Sequence, residues 1–173
     1  VGIAQVVRTG LPPSTLPPGL PPLPADQLVD IRSTKQETIG VTRQARGNVT
    51  IRTAEVWLTA DEVDYNDDTG DFEARGKVHY ESLTDGYRLD CDRATYNAKT
   101  ETGEFFDVSG YASVQVEPKP GVLITQNPFY MRGQRAEKLK DRYVIHDGFI
   151  SDCRPENLWW RLNGSTFDII PHK

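Results

Sequence analysis

From about Leu28 onward, apolar and polar residues alternate in short runs separated by turn signals such as Asn66-Asp67-Asp68-Thr69-Gly70. Alternation with period 2 puts the apolar side chains on one face of a strand, and no stretch sustains the 3.6-residue period of a helix. Val, Thr, Tyr and Phe, which favour a pleated surface, are spread through these runs. The pattern predicts an all-β domain over residues 28–173.

The runs repeat. VWLTADEVDY (Val56 to Tyr65), YRLDCDRATY (Tyr87 to Tyr96), FYMRGQRAEK (Phe129 to Lys138) and WRLNGSTFDI (Trp160 to Ile169) align without gaps. Their first position is apolar, the third is Leu58, Leu89, Met131 or Leu162, and the fifth is small: Ala60, Cys91, Gly133 or Gly164. The apolar phase then slips by one residue to Val63, Ala94, Ala136 and Phe167, followed by Tyr65, Tyr96 and Ile169, with Lys138 as the exception. In a straight strand such a slip would turn the apolar face outward. A bend or bulge at the small residue keeps both halves facing one interior.

A second repeated strand, centred on glycine, lies between these copies: FEARGKV (Phe72 to Val78), FDVSGYA (Phe106 to Ala112) and VIHDGFI (Val144 to Ile150), with a partial copy at RQARGNV (Arg43 to Val49). Aligning Gly47, Gly76, Gly110 and Gly148 as one corner makes Phe72, Phe106 and Val144 equivalent, and likewise Val78, Ala112 and Ile150. Each repeat is then a pair of bent antiparallel strands. Stacked pairs give an open, twisted β-jelly roll, a trough-shaped β-solenoid with a continuous apolar inside. The shared parity places Leu58, Leu89, Met131, Leu162, Phe72 and Phe106 on that inside, with the repeated aromatics on the same side.

Composition changes the picture at the N-terminus. Gly10 to Pro24 reads GLPPSTLPPGLPPLP, so residues 1–27 are expected to be an extended, flexible polyproline-type tether. The chain begins at Val1 and its single methionine is Met131, so it reads as a processed piece of a longer product. No run approaches the roughly 20 apolar residues of a transmembrane helix. With 20 Lys+Arg against 25 Asp+Glu, the net charge is −5, and no basic cluster favours nucleic acid.

Catalytic or metal chemistry finds no support. Read as an EF-hand loop from Asp64, the segment DYNDDTGD and its continuation put Thr69 where Gly is required and Arg75 where Glu is required, which leaves a hairpin turn. His79, His146 and His172 fall in different repeats, and Asp61 and Asp92 share a repeat position, which suits a turn or edge role better than acid–base catalysis. The sequons at Asn48 and Asn163 are too short to carry weight. Cys91 occupies the small-residue slot of a buried position, while Cys153 lies in a turn-like DCRPEN segment, so the two are not expected to pair. No enzyme activity, cofactor or metal is expected.

The phrase L-x-A-D-x-V-x-Y-N-x-x-T-G (Leu58 to Gly70), followed by A-x-G (Ala74 to Gly76), resembles the OstA-type domain of lipopolysaccharide-transport proteins, and L-x-C-D-x-A-x-Y-N (Leu89 to Asn97) repeats it. HDGFISDCRPENLWW (His146 to Trp160) is similar to the segment of the LptD family where an N-G-x-[FY]-T-x-C phrase precedes a Trp, with Asp147 standing for Asn and Ser151 for Thr. The resemblance covers about Val29 to Ile170. It implies a periplasmic β-jelly roll whose apolar groove holds lipid A acyl chains. Combined with the repeat parity, it makes Val56, Leu58, Val63, Phe72, Val78, Leu89, Phe106, Val108, Val114, Met131, Val144, Ile150, Leu162 and Phe167 the expected groove. It further implies a downstream outer-membrane barrel, to which Cys153 would be disulfide-bonded. The implied partners are lipopolysaccharide, an LptA-like bridge protein on the N-terminal edge strand near Ile31 to Val41, and an LptE-like lipoprotein. Two alternatives remain: a soluble LptA-type bridge protein, and a carbohydrate-binding or adhesin-like β-solenoid, which should carry a row of aromatics on its outward face.

Overall fold

A computed structural model describes residues 14–24, 27, 29–112 and 127–170. Its strands in chain order are β1 (Asp30–Arg32), β2 (Lys35–Ile39), β3 (Thr42–Arg52), β4 (Val56–Asn66), β5 (Asp71–Ser82), β6 (Tyr87–Asn97), β7 (Thr102–Ala112), β8 (Phe129–Lys138), β9 (Tyr143–Ser151) and β10 (Leu162–Ile169), with a 3₁₀ turn at Pro155–Asn157. All belong to one sheet in the order β1-β3-β4-β5-β6-β7-β8-β9-β10, with β2 also pairing β3, and these pairs are antiparallel. The sheet is open, and among the described residues there is no α-helix to cap it.

Long strands bend in their middle, and the small-residue slots mark the place. Asp61 lies in a register shift where Thr59 pairs with His79 and Glu62 with Arg75. The inward phase passes from Ala60 to Val63 in β4, from Cys91 to Ala94 in β6 and from Gly133 to Ala136 in β8, all buried alike. Opposite them, β3 and β5 insert Gly47-Asn48 and Gly76-Lys77, with all four residues in the left-handed region. β7 and β9 make the bend with one left-handed residue each, Asp107 and Asp147. Asp tolerates that conformation better than most side chains because its carboxylate can bond locally.

This difference corrects the glycine alignment. Gly110 and Gly148 are not the corner. A Cβ on Gly110 would run into the carbonyl oxygen of Arg88, and one on Gly148 into that of Arg132, so both glycines permit close approach of neighbouring strands. The bend lies three residues earlier in β7, at Asp107. Phe105, opposite Ala94, therefore faces inward, while Phe106, opposite Arg93, faces outward. By the same reasoning Ile145, opposite Ala136, is interior, and Val144, opposite Glu137, is on the other face.

Two hairpin turns explain the repeated Tyr-Asn phrase. Asn66 Oδ1 accepts the backbone N–H groups of Asp68 and Thr69 at 2.9 and 3.0 Å, and Asn97 Oδ1 accepts those of Lys99 and Thr100, both at 2.9 Å. Each turn closes through a left-handed residue, Gly70 in one and Glu101 in the other. The turns are stitched together where Asp67 N–H donates to Val41 O and Ala98 N–H to Gly70 O, each at 2.9 Å. Asx-type bonds of this kind hold register from the loop side.

Candidate functional site

The bends fold the two halves of each strand toward one another, so the single sheet becomes two facing layers. One layer carries Tyr65, Phe72, Tyr96, Phe105 and Tyr143 inward, and the other carries Tyr80, Tyr87, Leu89 and Met131. They meet across the interior. Tyr87 and Tyr143 stack with centroids 4.2 Å apart, Phe105 stands edge-on to Tyr80 at 4.8 Å, and the Tyr80 and Tyr143 hydroxyls bond at 3.0 Å. Tyr65, Phe72 and Tyr96 continue this aromatic surface along the sheet at 4.5 and 6.3 Å.

Val56, Leu58, Val63, Phe72, Val78, Leu89, Val108 and Met131 are buried in this interior. Ile150 and Phe167 pack against it while partly exposed. Leu162 lies directly opposite Ile150 but on the last strand, where no other described strand flanks it, and it is 55% exposed. Val114 lies outside the described residues. Tyr80, Phe105, Tyr143 and Ile145 were absent from the expected set. Phe105 and Ile145 were hidden by the glycine alignment, and Tyr80 and Tyr143 fall near strand ends, outside the repeated cores. Their signal was parity counted from the bend: Tyr80 lies two residues beyond Val78, and Tyr143 two before Ile145.

The open rim of the two layers is polar as well as aromatic. Ser82 and the Leu83–Gly86 turn approach the β8–β9 turn, and a cleft of about 220 Å³ is lined by Asp85 and residues 138–143. Lys138 occupies an inward slot, buried, with its ammonium donating to Glu101 O at 2.9 Å and lying 5.8 Å from the Tyr143 ring centre. Its aliphatic stem fills the place of an apolar side chain while the charge reaches the rim. A larger cleft, about 570 Å³, opens on the edge of the Tyr65–Phe72–Tyr96 surface between the hairpin turns.

Burial dominates the interior chemistry. It raises the phenols of Tyr80, Tyr87, Tyr96 and Tyr143 above their usual range, so they stay neutral hydrogen-bonding groups. Burial also pushes the Cys91 thiol up to about 12, which leaves it an inert small hydrophobe. Cys91 and Cys153 are both free. Among the described residues no group of His, Cys, Asp and Glu could hold a metal ion.

The outer face is a cross-strand charge ladder over the first layer. Asp64 accepts from Arg46 at 2.9 Å and Arg75 at 2.6 Å, and Arg75 reaches Glu73 at 3.2 Å. Arg93 covers Phe106 at 4.8 Å, which accounts for an aromatic on this face. Although burial works to raise it, the bonds and charges of Arg75 and Arg46 hold the Asp64 carboxyl below its usual range. Over the second layer, Tyr111, Tyr130 and Phe149 form an outward aromatic row with centroids 5.3 and 6.0 Å apart, and Arg161 lies 5.4 Å over Phe149. Of the repeated aromatics expected on the inner side, Phe106 lies on the outer face instead. Beside this row, Trp160 donates its indole N–H to Asp152 at 2.8 Å and Ser151 Oγ accepts the Cys153 N–H at 3.0 Å, which fixes the loop bearing Cys153.

The chain matches no protein-family model. Two curated proteins are similar to it: the LPS-assembly protein LptD of Xanthomonas campestris pv. campestris strain 8004 and that of strain ATCC 33913. Each is 25% identical over 140 residues, 81% of this chain and 16% of the relative. The chain therefore spans only 16% of the length of these relatives. Among solved structures, the crystal structure of LptH, the LptA homologous periplasmic component of the conserved lipopolysaccharide transport device from Pseudomonas aeruginosa, superposes with a TM-score of 0.50 at 13% identity. The match covers 83% of this chain and 95% of LptH. The resemblance to LptD extends over most of the chain, and the fold is an LptA-like open β-jelly roll.

Proposed function

We propose that this chain is a periplasmic OstA-like domain of an LptD-type protein, which holds the acyl chains of lipopolysaccharide between its two layers and delivers them to an outer-membrane barrel. The observation that carries the reading is the continuous apolar interior of one open sheet, lined from β3 to β10 by inward side chains. Burying an acyl chain there gains about 0.8 kcal/mol per CH₂, enough for retention without a catalytic group or cofactor. The domain acts by binding and not by catalysis.

Both ends of the sheet suit head-to-tail joining. At the N-terminal end β2 is exposed along its whole length, with Ile39 62% exposed, and an unpaired edge accepts another strand by β-augmentation. An LptA-like bridge protein would dock there. The barrel and an LptE-like lipoprotein would lie beyond β10, with Cys153 bridged to the barrel.

The outward row Tyr111–Tyr130–Phe149 favours a second reading, in which sugar rings stack on the outer face. One experiment separates the two. The purified chain is incubated with intact or deacylated lipopolysaccharide, re-isolated, and assayed for bound sugar. The interior reading expects retention of the intact lipid alone, and equal retention of both forms would favour the outer surface.

A further inference from the structure

We infer that Trp57, Arg52 and Glu81 form a binding site for a leucine-proline segment, and that its occupant is the chain's own Ser14–Leu20 stretch, laid as a strap across the outer face. The site is on the opposite side of the sheet from the apolar interior and does not depend on the lipid reading. By register Trp57 stands opposite Arg52 and Glu81, so all three share the outward face. Yet Trp57 is only 7% exposed and Glu81 only 5%, and neither belongs to the interior cluster. Thr15, Pro17 and Leu20 line one cleft of about 360 Å³ together with Arg52, Trp57 and Thr59, and the Thr15 N–H donates to Glu81 Oε2 at 3.3 Å.

The donor and acceptor inventories match. Prolines have no N–H, so a proline-rich segment offers mainly carbonyl acceptors. Among the described residues the cleft wall carries two buried donors, Trp57 Nε1 and Arg52 Nε, that share the cleft with this segment's acceptors but are not bonded to them in the docked arrangement. The Thr15 N–H is taken by Glu81, whose other oxygen accepts from Arg88 Nε at 3.2 Å. Shape matches too. Leu16, Leu20 and Leu23 are partly buried while the neighbouring prolines are exposed, so the leucines face the sheet. An extended proline-rich segment loses little conformational entropy when it docks, and an indole is a common platform for it. The strap runs from Glu81 on β5 past Trp57 on β4 and Arg52 on β3 toward Asp30 on β1, crossing four strands of the sheet on the outer face.

The test uses the full chain with Trp159→Phe and Trp160→Phe, which leaves Trp57 as the single tryptophan. Adding Leu20→Asp should release the strap, seen as a red shift of Trp57 emission and a severalfold rise in acrylamide quenching, with the β-sheet circular dichroism retained. A peptide of residues Ser14–Pro24, added in trans, should reverse both changes saturably, and a scrambled peptide should not. Should Leu20→Asp unfold the chain, Glu81→Gln in the same background provides the readout, with increased Trp57 quenching expected. Unchanged quenching in a folded Leu20→Asp or Glu81→Gln chain, or failure of the peptide to restore protection, would overturn the inference.

Discussion

The Tyr80–Tyr143 pair is the sharpest local test of how the two layers meet. Both rings are buried, and their hydroxyls bond at 3.0 Å across the interior. Tyr143→Phe keeps the ring stacked 4.2 Å from Tyr87, so only the hydroxyl is lost. It leaves the Tyr80 hydroxyl buried without its partner, a cost of about 1–3 kcal/mol. Tyr80→Phe likewise leaves the Tyr143 hydroxyl buried without its partner and should cost about as much. With both hydroxyls removed, no orphan remains between the rings, and the double variant should be less destabilised than the sum of the singles by about 1 kcal/mol. Urea unfolding of the four chains measures this, provided the denaturant slope is unchanged. Strictly additive losses would refute the contact across the layers, and with it the two-layer interior.

Three further outcomes follow from other parts of the sheet. Glu101 holds in the β6–β7 hairpin the left-handed turn position that Gly70 holds in the β4–β5 hairpin, so Glu101→Gly should raise stability by about 0.5–1 kcal/mol, read as a higher urea midpoint. The hydrogen bond that His79 Nδ1 donates to Asp90 at 2.7 Å, joined by the charges of Asp90 and Glu81, outweighs burial and raises the His79 pKa above its ordinary value of 6.5. A raised pKa means stability fully present below about 6.5 and lost as pH rises through the folded value, so the midpoint should fall as pH is raised above about 6.5, and His79→Gln should flatten that decline. Ile39→Pro should weaken binding of a purified LptA-like bridge protein in a pull-down while the fold survives. Loss of binding with Phe167→Pro but not with Ile39→Pro would reverse the docking direction.

The even-numbered strands were legible because one device makes every bend. Ala60, Cys91, Gly133 and Gly164 occupy the same slot, and counting apolar residues across it gives the correct face in β4, β6 and β8. The odd-numbered strands use two devices, a left-handed pair in β3 and β5 and a single left-handed Asp in β7 and β9. Glycine marked the first device and misled for the second, where it serves close strand approach. A shift of the bend by a few residues reverses parity for half a strand, so the glycine alignment puts Phe106 and Val144 inside in place of Phe105 and Ile145. The spacing of three from Phe105 to Val108, the same as from Val63 back to Ala60, was the available clue. The outward row Tyr111–Tyr130–Phe149 was illegible because its members come from three strands whose register no local pattern specifies. The burial of Trp57 depends on a segment more than thirty positions upstream, beyond the reach of any local alternation.

On the proposed function, the face bearing Leu89 receives acyl chains while the face bearing Arg88 does not. Leu89 is fully buried in the interior, whereas Arg88 is ion-paired with Glu81 on the outer face at 3.2 Å. A photo-crosslinking residue placed at each position in turn, in folded chains exposed to intact lipopolysaccharide and irradiated, tests this directly. Capture at position 89 and none at position 88 is the predicted result, and equal capture at both would contradict it.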